Sequence, residues 1–471
     1  MAMKAYKSYK NVDLPWLKRV PEHWEVNKIN RLFNLISSGT TPNSGKINFY
    51  ENGNIPWLNS GDLYGDKPLI EKTAKHVTQS ALNSFSTLKL YSANSIAIAM
   101  YGASVGNISI VPFEFCCNQA CCVFSKPIKN LNLKYVYYSV IAGKKDLIEQ
   151  ARGGGQPNIN QDILKQFRLP FPPFHEQEQI VRYLDWQNSR LNKLINAKKK
   201  EIALLEEQKQ ALISQAVTKG LDPHAPLKDS AIDWIGQIPE HWQINKMNRL
   251  FNLIGSGTTP SSGSIDFYNN GNIPWLNSGD LYGDKPVIKK TAKHITELAL
   301  NSFSTLKLYN ADSIAIAMYG ASVGNISIVP FEFCCNQACC VFSKPIKNLS
   351  LKYVYYNVIA GKKDLIEQAK GGGQPNINQD ILRQFRLPFP PLHEQEHIVD
   401  YLTDQCAIID DLIANINKTI SFLQEYRTRL VADVVTGQID VRNIAIPNYE
   451  TVTETIDQPE TTEDETNTTE E

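Results

Sequence analysis

Eight of the nine cysteines fall in two copies of one cluster, Cys116-Cys117-Asn118-Gln119-Ala120-Cys121-Cys122 and Cys334-Cys335-Asn336-Gln337-Ala338-Cys339-Cys340. Four thiols within seven residues invite a zinc site. The cluster nevertheless lies in an apolar, β-prone stretch with Phe113, Phe115, Val123 and Phe124. Alternation along a strand sends neighbouring thiols to opposite faces, which disfavours one tetrahedral site. The expectation is small buried hydrophobes and no metal. Six of the eight histidines are also repeated pairs (His23 and His241, His76 and His294, His175 and His393), without zinc-protease spacing. Structural or capping roles suit them.

Hydrogen-bonding chemistry is better represented. Reading nucleic-acid bases needs donors and acceptors aimed at base edges, with cations and backbone amides for phosphates. Three polar clusters between apolar runs qualify. The first joins Ser38-Gly39-Thr40-Thr41-Pro42 to Asn59, Ser60, Asp62 and Tyr64. The second joins Tyr101, Ser104 and Asn107 to Asn118 and Gln119. The third is Arg152-Gly153-Gly154-Gly155-Gln156, whose glycines let a backbone approach phosphates closely. Their second copies are Thr258, Thr259, Asn277, Ser278, Asp280 and Tyr282, then Tyr319, Ser322, Asn325, Asn336 and Gln337, then Lys370, Gly372 and Gln374. Turn and capping chemistry competes for each residue singly, so the clusters count as sets.

Covalent chemistry is not evident. Asn54-Ile55-Pro56-Trp57 resembles the loop that holds the target amine in amino-methyltransferases, but its central proline is missing. No Gly-rich cofactor loop follows a strand. Ala142-Gly143-Lys144-Lys145 lacks the upstream glycine and following Ser or Thr of a phosphate loop. Trp57 therefore reads as a core or groove aromatic, and no catalytic residue is assigned.

The element that positions these clusters is a whole-domain repeat. Adding 218 to a residue number in the first half lands on its counterpart: residues 31–175 and 249–393 differ at 17 of 145 positions, and Ser95–Leu131 is identical to Ser313–Leu349. The period is far longer than a solenoid repeat, so each unit can bury its own core. Short apolar runs such as Ser95–Met100 and Ile108–Val111 sit between Gly, Asn and Pro, predicting a mixed, mostly β domain with a helix over Leu133–Gln150.

Beyond residues 175 and 393 most identities are lost, but a seven-residue apolar pattern survives. It places Leu184, Leu191, Leu205 and Leu212 in one register and Ile195, Ile202 and Ala216 in the other. The second copy carries Leu402, Ile409, Ile416, Leu423 and Leu430 with Ile413, Ile420 and Val434. Such seams predict two long helices paired antiparallel as a coiled coil. The run Lys198-Lys199-Lys200 would then lie near Asp410-Asp411.

The 471 residues carry 48 basic and 48 acidic side chains. Nine of those acids follow Arg442, where there is no Lys or Arg, so residues 1–442 hold 48 basic against 39 acidic, a net of +9. That surplus is compatible with an anionic partner. The acidic, Thr-rich end is too poor in apolar side chains to order itself and suits a solvated tail better than a DNA mimic. No leader-like or membrane-length apolar run occurs, and the reading is a cytoplasmic chain with no membrane partner.

One order of motifs occurs twice. It runs from Trp16-Leu17 and Pro21-Glu22-His23-Trp24 (Asp233-Trp234-Ile235 and Pro239-Glu240-His241-Trp242) through Gln156-Pro157-Asn158-Ile159-Asn160 to Leu169-Pro170-Phe171-Pro172-Pro173 and Glu176-Gln177-Glu178-Gln179-Ile180. This doubled order resembles the specificity subunits of bacterial type I restriction-modification systems over residues 14–442. The resemblance implies an α+β chain with internal pseudo-twofold symmetry: two target-recognition domains at 14–175 and 239–393, long helices at 176–218 and 394–436 acting as a ruler, a linker at 219–238, and a disordered acidic tail at 445–471. It implies a non-catalytic subunit that binds a bipartite double-stranded DNA target and two modification (methyltransferase) subunits. Those partners would use S-adenosylmethionine for adenine-N6 methylation, and restriction/translocase subunits, where they join, would use ATP and Mg. The two recognition domains of the family usually differ. Here they are nearly identical, so the expected target is an interrupted palindrome with half-site centres about one helical turn, roughly 10 bp, apart. A two-domain ligand-binding or adhesin-like protein is the alternative from another class.

Overall fold

A computed structural model describes residues 4–151, 158–261, 263–369 and 376–454. The chain is α+β and divides into two compact units, Met1–Lys199 with Asn417–Glu471, and Lys200–Ile416. No helix among the described residues is long and apolar enough to cross a membrane.

The first unit is built in chain order from β1 (Tyr9–Asn11), β2 (Arg19–Pro21), β3 (Glu25–Lys28), β4 (Phe33–Ser38), β5 (Ile55–Leu58), β6 (Lys75–Val77), β7 (Ser95–Ala99), β8 (Ile108–Val111), β9 (Cys116–Cys117), β10 (Cys121–Pro127) and β11 (Arg168–Phe171). The central sheet has the antiparallel order β4-β10-β7-β8. A smaller sheet, β6-β5-β9, pairs β5 with β9 in parallel. Period-two alternation divides the interior. Ile96 and Ile98 of β7 join Cys122 and Phe124 in the main core, while Ala97 and Ala99 join Cys121 and Val123 in a second core on the other face. A third core gathers Phe49, Trp57, Val77, Leu88 and Cys116 around the small sheet.

The main core rests on helices. Leu133–Gln150 forms the expected helix, its N-terminus capped by Asn132, whose side chain accepts from the amides of Lys134 and Tyr135. The first long helix spans Phe174–Lys219 and the second Leu392–Val435, extending each expected start by two residues. Their division between units departs from the expected boundaries. The first unit holds the opening half of the first helix and the closing half of the second, so Leu184 shares a core with Leu430, Val434 and Val435. Arg427 donates to Asn192 at 2.9 Å, and beyond it the second helix runs back toward the start of the first. The Tyr135 hydroxyl ties this return by donating to the carbonyls of Pro170 (3.0 Å) and Val435 (3.2 Å).

The second unit repeats the plan with the other helix halves. Its central sheet shows the same pairings 218 residues on. Ile213, Ala216 and Val217 share a core with Ile398, Leu402 and Cys406. Tyr353 donates to Pro388 and Val217, as Tyr135 does to Pro170 and Val435. Asp410 is bound by Lys209 at 2.6 Å, which corrects the expected pairing with Lys198-Lys199-Lys200. The reason is register: 209 faces 410 just as 192 faces 427, each pair adding to 619. All seam positions are buried or half-buried; Ile202, Leu205, Leu212, Ile413 and Leu423 are the half-buried ones.

Two expected irregular segments differ. The linker 219–238 contains a strand, Leu227–Asp229, paired with Gln237–Pro239, and buries Ile235 and Ile238. The same pairing in the first unit joins β1 to β2. Residues 445–454 of the expected disordered tail lie extended along the first long helix with hydrogen bonds to Ser189, Asn192 and Asn196. Residues 455–471 lie outside the described residues.

The buried tyrosines test the helix exchange. Burial raises the Tyr135 hydroxyl pKa far above its ordinary value and keeps it a donor. Tyr135→Phe leaves the terminal carbonyl of Val435, already without a helical partner, unsatisfied at a cost of about 1–3 kcal/mol. The urea midpoint should fall in Tyr135→Phe and in Tyr353→Phe alike. An unchanged midpoint would show that these hydroxyls do not hold the returning helix ends.

Candidate nucleic-acid interface

Two of the three polar clusters converge at one end of the first unit's central sheet. There β4, β5, β7 and β9 end and β10 begins. Gly39 donates to Asn118 O (3.3 Å), Thr40 N to Cys117 O (3.0 Å), Asn118 N to Leu58 O (3.0 Å) and Met100 N to Ala120 O (2.8 Å). Gly39 is obligatory, because a Cβ there would stand 1.7 Å from the Cys117 carbonyl oxygen. The third cluster, Arg152, Gly154 and Gln156 with Lys370, Gly372 and Gln374, lies outside the described residues. Its downstream flank is anchored at the same end: Ile159 N donates to Met100 O at 2.8 Å, and Gln161 donates to Ser38 Oγ at 2.8 Å.

Side chains at this rim divide by what already occupies them. Asp62 accepts from the amides of Asn59 (2.8 Å) and Ala74 (3.0 Å), fixing the turn that begins at Ser60, and the Asn59 side chain donates to Trp57 O. Asn107 accepts from Lys144 at 2.6 Å, and Lys144 also pairs with Asp66, whose carboxylate takes the amide of Ile108. Ser104 is buried, Tyr101 is half-buried against the main core, and the Asn118 side chain accepts from Ala120 N. These residues shape the rim. Asp280, Asn277, Asn325, Ser322, Tyr319 and Asn336 repeat those roles in the second unit.

The outward-facing set is smaller. Thr41 is exposed and donates to exposed Gln119, Thr40 bonds Thr87, and Tyr64 is 60% exposed. Thr259 with Gln337, Thr258 with Thr305, and Tyr282 recur in the second unit. Beside Thr41 opens a cleft lined by Ile47, Tyr50, Trp57, Lys75 and His76. Trp57 is buried at its base and donates to Thr40 O, as its reading as a core or groove aromatic required. Ile47, Lys75 and His76 are exposed, and none was singled out from sequence for this surface. Their signal was recurrence in apolar surroundings: Ile265 is 73% exposed where Ile47 is 71%, and Lys293-His294 repeats Lys75-His76. This rim offers amide and hydroxyl groups for base edges, an apolar tip suited to a thymine methyl, and cations for phosphates.

The cysteines flank the rim from inside. All nine are buried and free, and burial pushes the thiols of Cys116 and Cys122 up to about 12, with Cys117 and Cys121 also raised. Among the described residues no group of three or more His, Cys, Asp or Glu could hold a metal ion. The thiolate is the reactive form. A thiol reagent at pH 8 should therefore leave the native chain nearly unlabelled and titrate all nine cysteines in denaturant. Fast native labelling of Cys116 or Cys122 would show that the cores open readily.

Comparison with known proteins agrees with this architecture. The profile of the type I restriction modification DNA specificity domain matches residues 21–204 and 239–421. The chain is 26% identical over 437 residues to the putative type I restriction enzyme MjaX specificity subunit of Methanocaldococcus jannaschii, covering 90% of this chain and 95% of that one. It is 28% identical over 213 residues to the EcoR124I/EcoR124II specificity subunit of Escherichia coli, covering 44% of this chain and 51% of that one. A solved chain from a study of assembly in the type I R-M system shares the fold, with a TM-score of 0.64 at 16% identity over 89% of this chain and 99% of that one. Matched twice by the domain profile and along nearly its whole length by such subunits, the chain belongs to the type I restriction-modification DNA specificity family.

Proposed function

We propose that this chain recognises an interrupted, bipartite double-stranded DNA target and directs adenine-N6 methylation by two modification subunits, without chemistry of its own. S-adenosylmethionine belongs to those partners, as do ATP and Mg to restriction/translocase subunits where these join. The observation that supports this best is the sameness of the two rims. Thr40, Thr41 and Gln119 are bonded as Thr258, Thr259 and Gln337 are, with Lys75-His76 and Lys293-His294 beside the same buried tryptophan. Two equal reading surfaces, related by the pseudo-twofold repeat, should read one half-sequence on each strand.

Mapping N6-methyladenine in cells that express the whole system tests this directly. The expected target is an interrupted palindrome with one methylated adenine per half. Two unrelated half-sequences would overturn the equivalence of the rims.

Variants separate readout from anchoring. Gln119→Ala with Gln337→Ala should relax discrimination at one base position per half, by about 1–3 kcal/mol each. Lys75→Ala with Lys293→Ala should weaken binding to all sequences and lower the salt slope by about one per lysine. Fluorescence anisotropy with the assembled methyltransferase over a salt series measures both. A uniform loss from the glutamine pair would move those residues from reading bases to positioning.

A further inference from the structure

Ile47 and Ile265 are the most exposed large apolar side chains among the described residues, at 71% and 73%. A lone exposed isoleucine is ordinary on a protein surface. These two stand out by how they are held. Each opens a single 3-10 turn, Ile47–Phe49 or Ile265–Phe267. The Ile47 carbonyl accepts from the amides of Tyr50 (3.0 Å) and Glu51 (2.9 Å), and that of Ile265 from Tyr268 (3.0 Å) and Asn269 (2.8 Å). Thr78 ties the turn down, donating its amide to Phe49 O (2.9 Å) and its hydroxyl to Asn48 O (2.8 Å). Thr296 does the same for Phe267 O (3.0 Å) and Asp266 O (2.9 Å). Phe49 and Phe267 meet Phe85 and Phe303 edge to face, each pair with ring centroids 5.5 Å apart. The isoleucine is thus a firmly seated projection.

The chain around each tip changes while the tip stays. Of the nine positions 43–51, four differ from 261–269: Asn43 is replaced by Ser261, Lys46 by Ser264, Asn48 by Asp266 and Glu51 by Asn269. The two neighbours that flank the tip exchange a cation for a hydroxyl and an amide for an acid, so no charge is kept there for a phosphate. Isoleucine is kept, although a polar residue would serve solubility better at so exposed a site. The cations that line the cleft beside Ile47, Lys75 and His76, recur as Lys293 and His294.

We propose that Ile47 and Ile265 are wedges that enter the base stack beside the adenine to be methylated in each half-site, so that this chain opens the step from which the base leaves. The proposal rests on the reading of the chain as a DNA-binding guide for adenine methylation. An enzyme that modifies a base takes it out of the duplex, at a cost of a few kcal/mol in stacking and pairing. Apolar side chains inserted between base pairs unstack the step and kink the duplex, which offsets that cost. A wedge needs bulk, apolarity, firm backing and no charge of its own. Those are the properties the two copies share where their flanking residues do not.

Ile47→Ala with Ile265→Ala, in the assembled methyltransferase and on its mapped target, tests the wedge. 2-Aminopurine in place of the target adenine brightens when it leaves the stack. The unaltered complex should brighten the probe strongly and the double variant weakly, and the variant should methylate the matched target roughly tenfold more slowly. A mismatch opposite the adenine lowers the cost of opening, so on that duplex the variant should recover to within about twofold of the unaltered complex. Leu at both positions should keep most of the activity. Equal loss on matched and mismatched duplexes would make the isoleucine an ordinary groove contact, such as one to a thymine methyl, and overturn the proposal. Unchanged brightness and rate would overturn it as well. Failure of the unaltered complex to bind any duplex would instead sink the DNA-binding reading on which the wedge rests.

Discussion

Each unit depends on one carboxylate in the first turn of a long helix, buried in the first unit and half-buried in the second. Glu176, in the first turn of the first long helix, is 3% exposed and accepts from Trp24 Nε1 (2.9 Å) and the Tyr6 hydroxyl (3.1 Å), with His23 at 2.7 Å. A charge taken from water must be compensated by hydrogen bonds, and the amides of a helix N-terminus favour an anion. The Pro-Glu-His-Trp motif therefore fastens the start of the domain to the start of the helix. Gln177, fully buried, completes the bolt by donating to Pro172 O and accepting from Asn132 N, the cap of the 133–150 helix. Glu394, His241, Trp242 and Gln395 repeat the bolt. Rim strands, proline-rich strand and long helix are held by this junction, so the positions of the rim residues follow from it.

The second constraint is that neither unit is complete with its own helix. The main core of the first unit needs Leu430, Val431, Val434 and Val435 from the far end of the chain, and Val441 beyond them. Gly437 makes that closure possible. Its φ of +71° turns the chain out of the helix, and a Cβ there would stand 2.4 Å from Pro21. In the second unit Gly220 holds the same position against Trp242, with φ +75°. Asp440 N then donates to Lys4 O, so chain start and chain end share one surface, as the continuous segment 219–231 does in the second unit.

What could be read from sequence was what obeys short-range rules. Heptad spacing located the seam, alternation separated Cys121 from Cys122 into different cores, and proline placed the helix starts within two residues. What escaped depends on partners distant in the chain. Asp62 and Asn107 look like free polar groups until Ala74, Asp66 and Lys144 arrive to claim them. The Lys209–Asp410 pair needed a helix register that composition does not contain. Tail residues 445–454 pack Ile446 against the main core, and a ladder of Ser and Asn on a neighbouring helix binds their backbone, which is indifferent to side-chain hydropathy. Ile47 and His76 seemed ordinary because exposure, not type, distinguishes them.

The differences between the copies show which surfaces are free to change. Asn132 and Ser350 differ, yet each caps its helix by accepting from backbone amides. Lys165 pairs with Asp162, whereas Arg383 donates to Ile254 O, so the neighbouring turn is held by another route. Ser139 and Asn357 differ at a buried site beside the long helices, where Asn357 donates to Tyr353 O and leaves its own oxygen without a partner. On the helices the swap goes further, from Asn192 to Asp410 and from Arg427 to Lys209, with the cross-helix bond retained. Caps and pairs tolerate exchange because several side chains supply the same donor or acceptor. The rim residues Thr40, Thr41 and Gln119 are instead kept as identical side chains in identical bonds, and Lys75 and His76 as identical side chains. If the rims read bases as proposed, a surface where one substitution would change which base edge it fits has no equivalent replacement, and two equal rims are what a symmetric target would require.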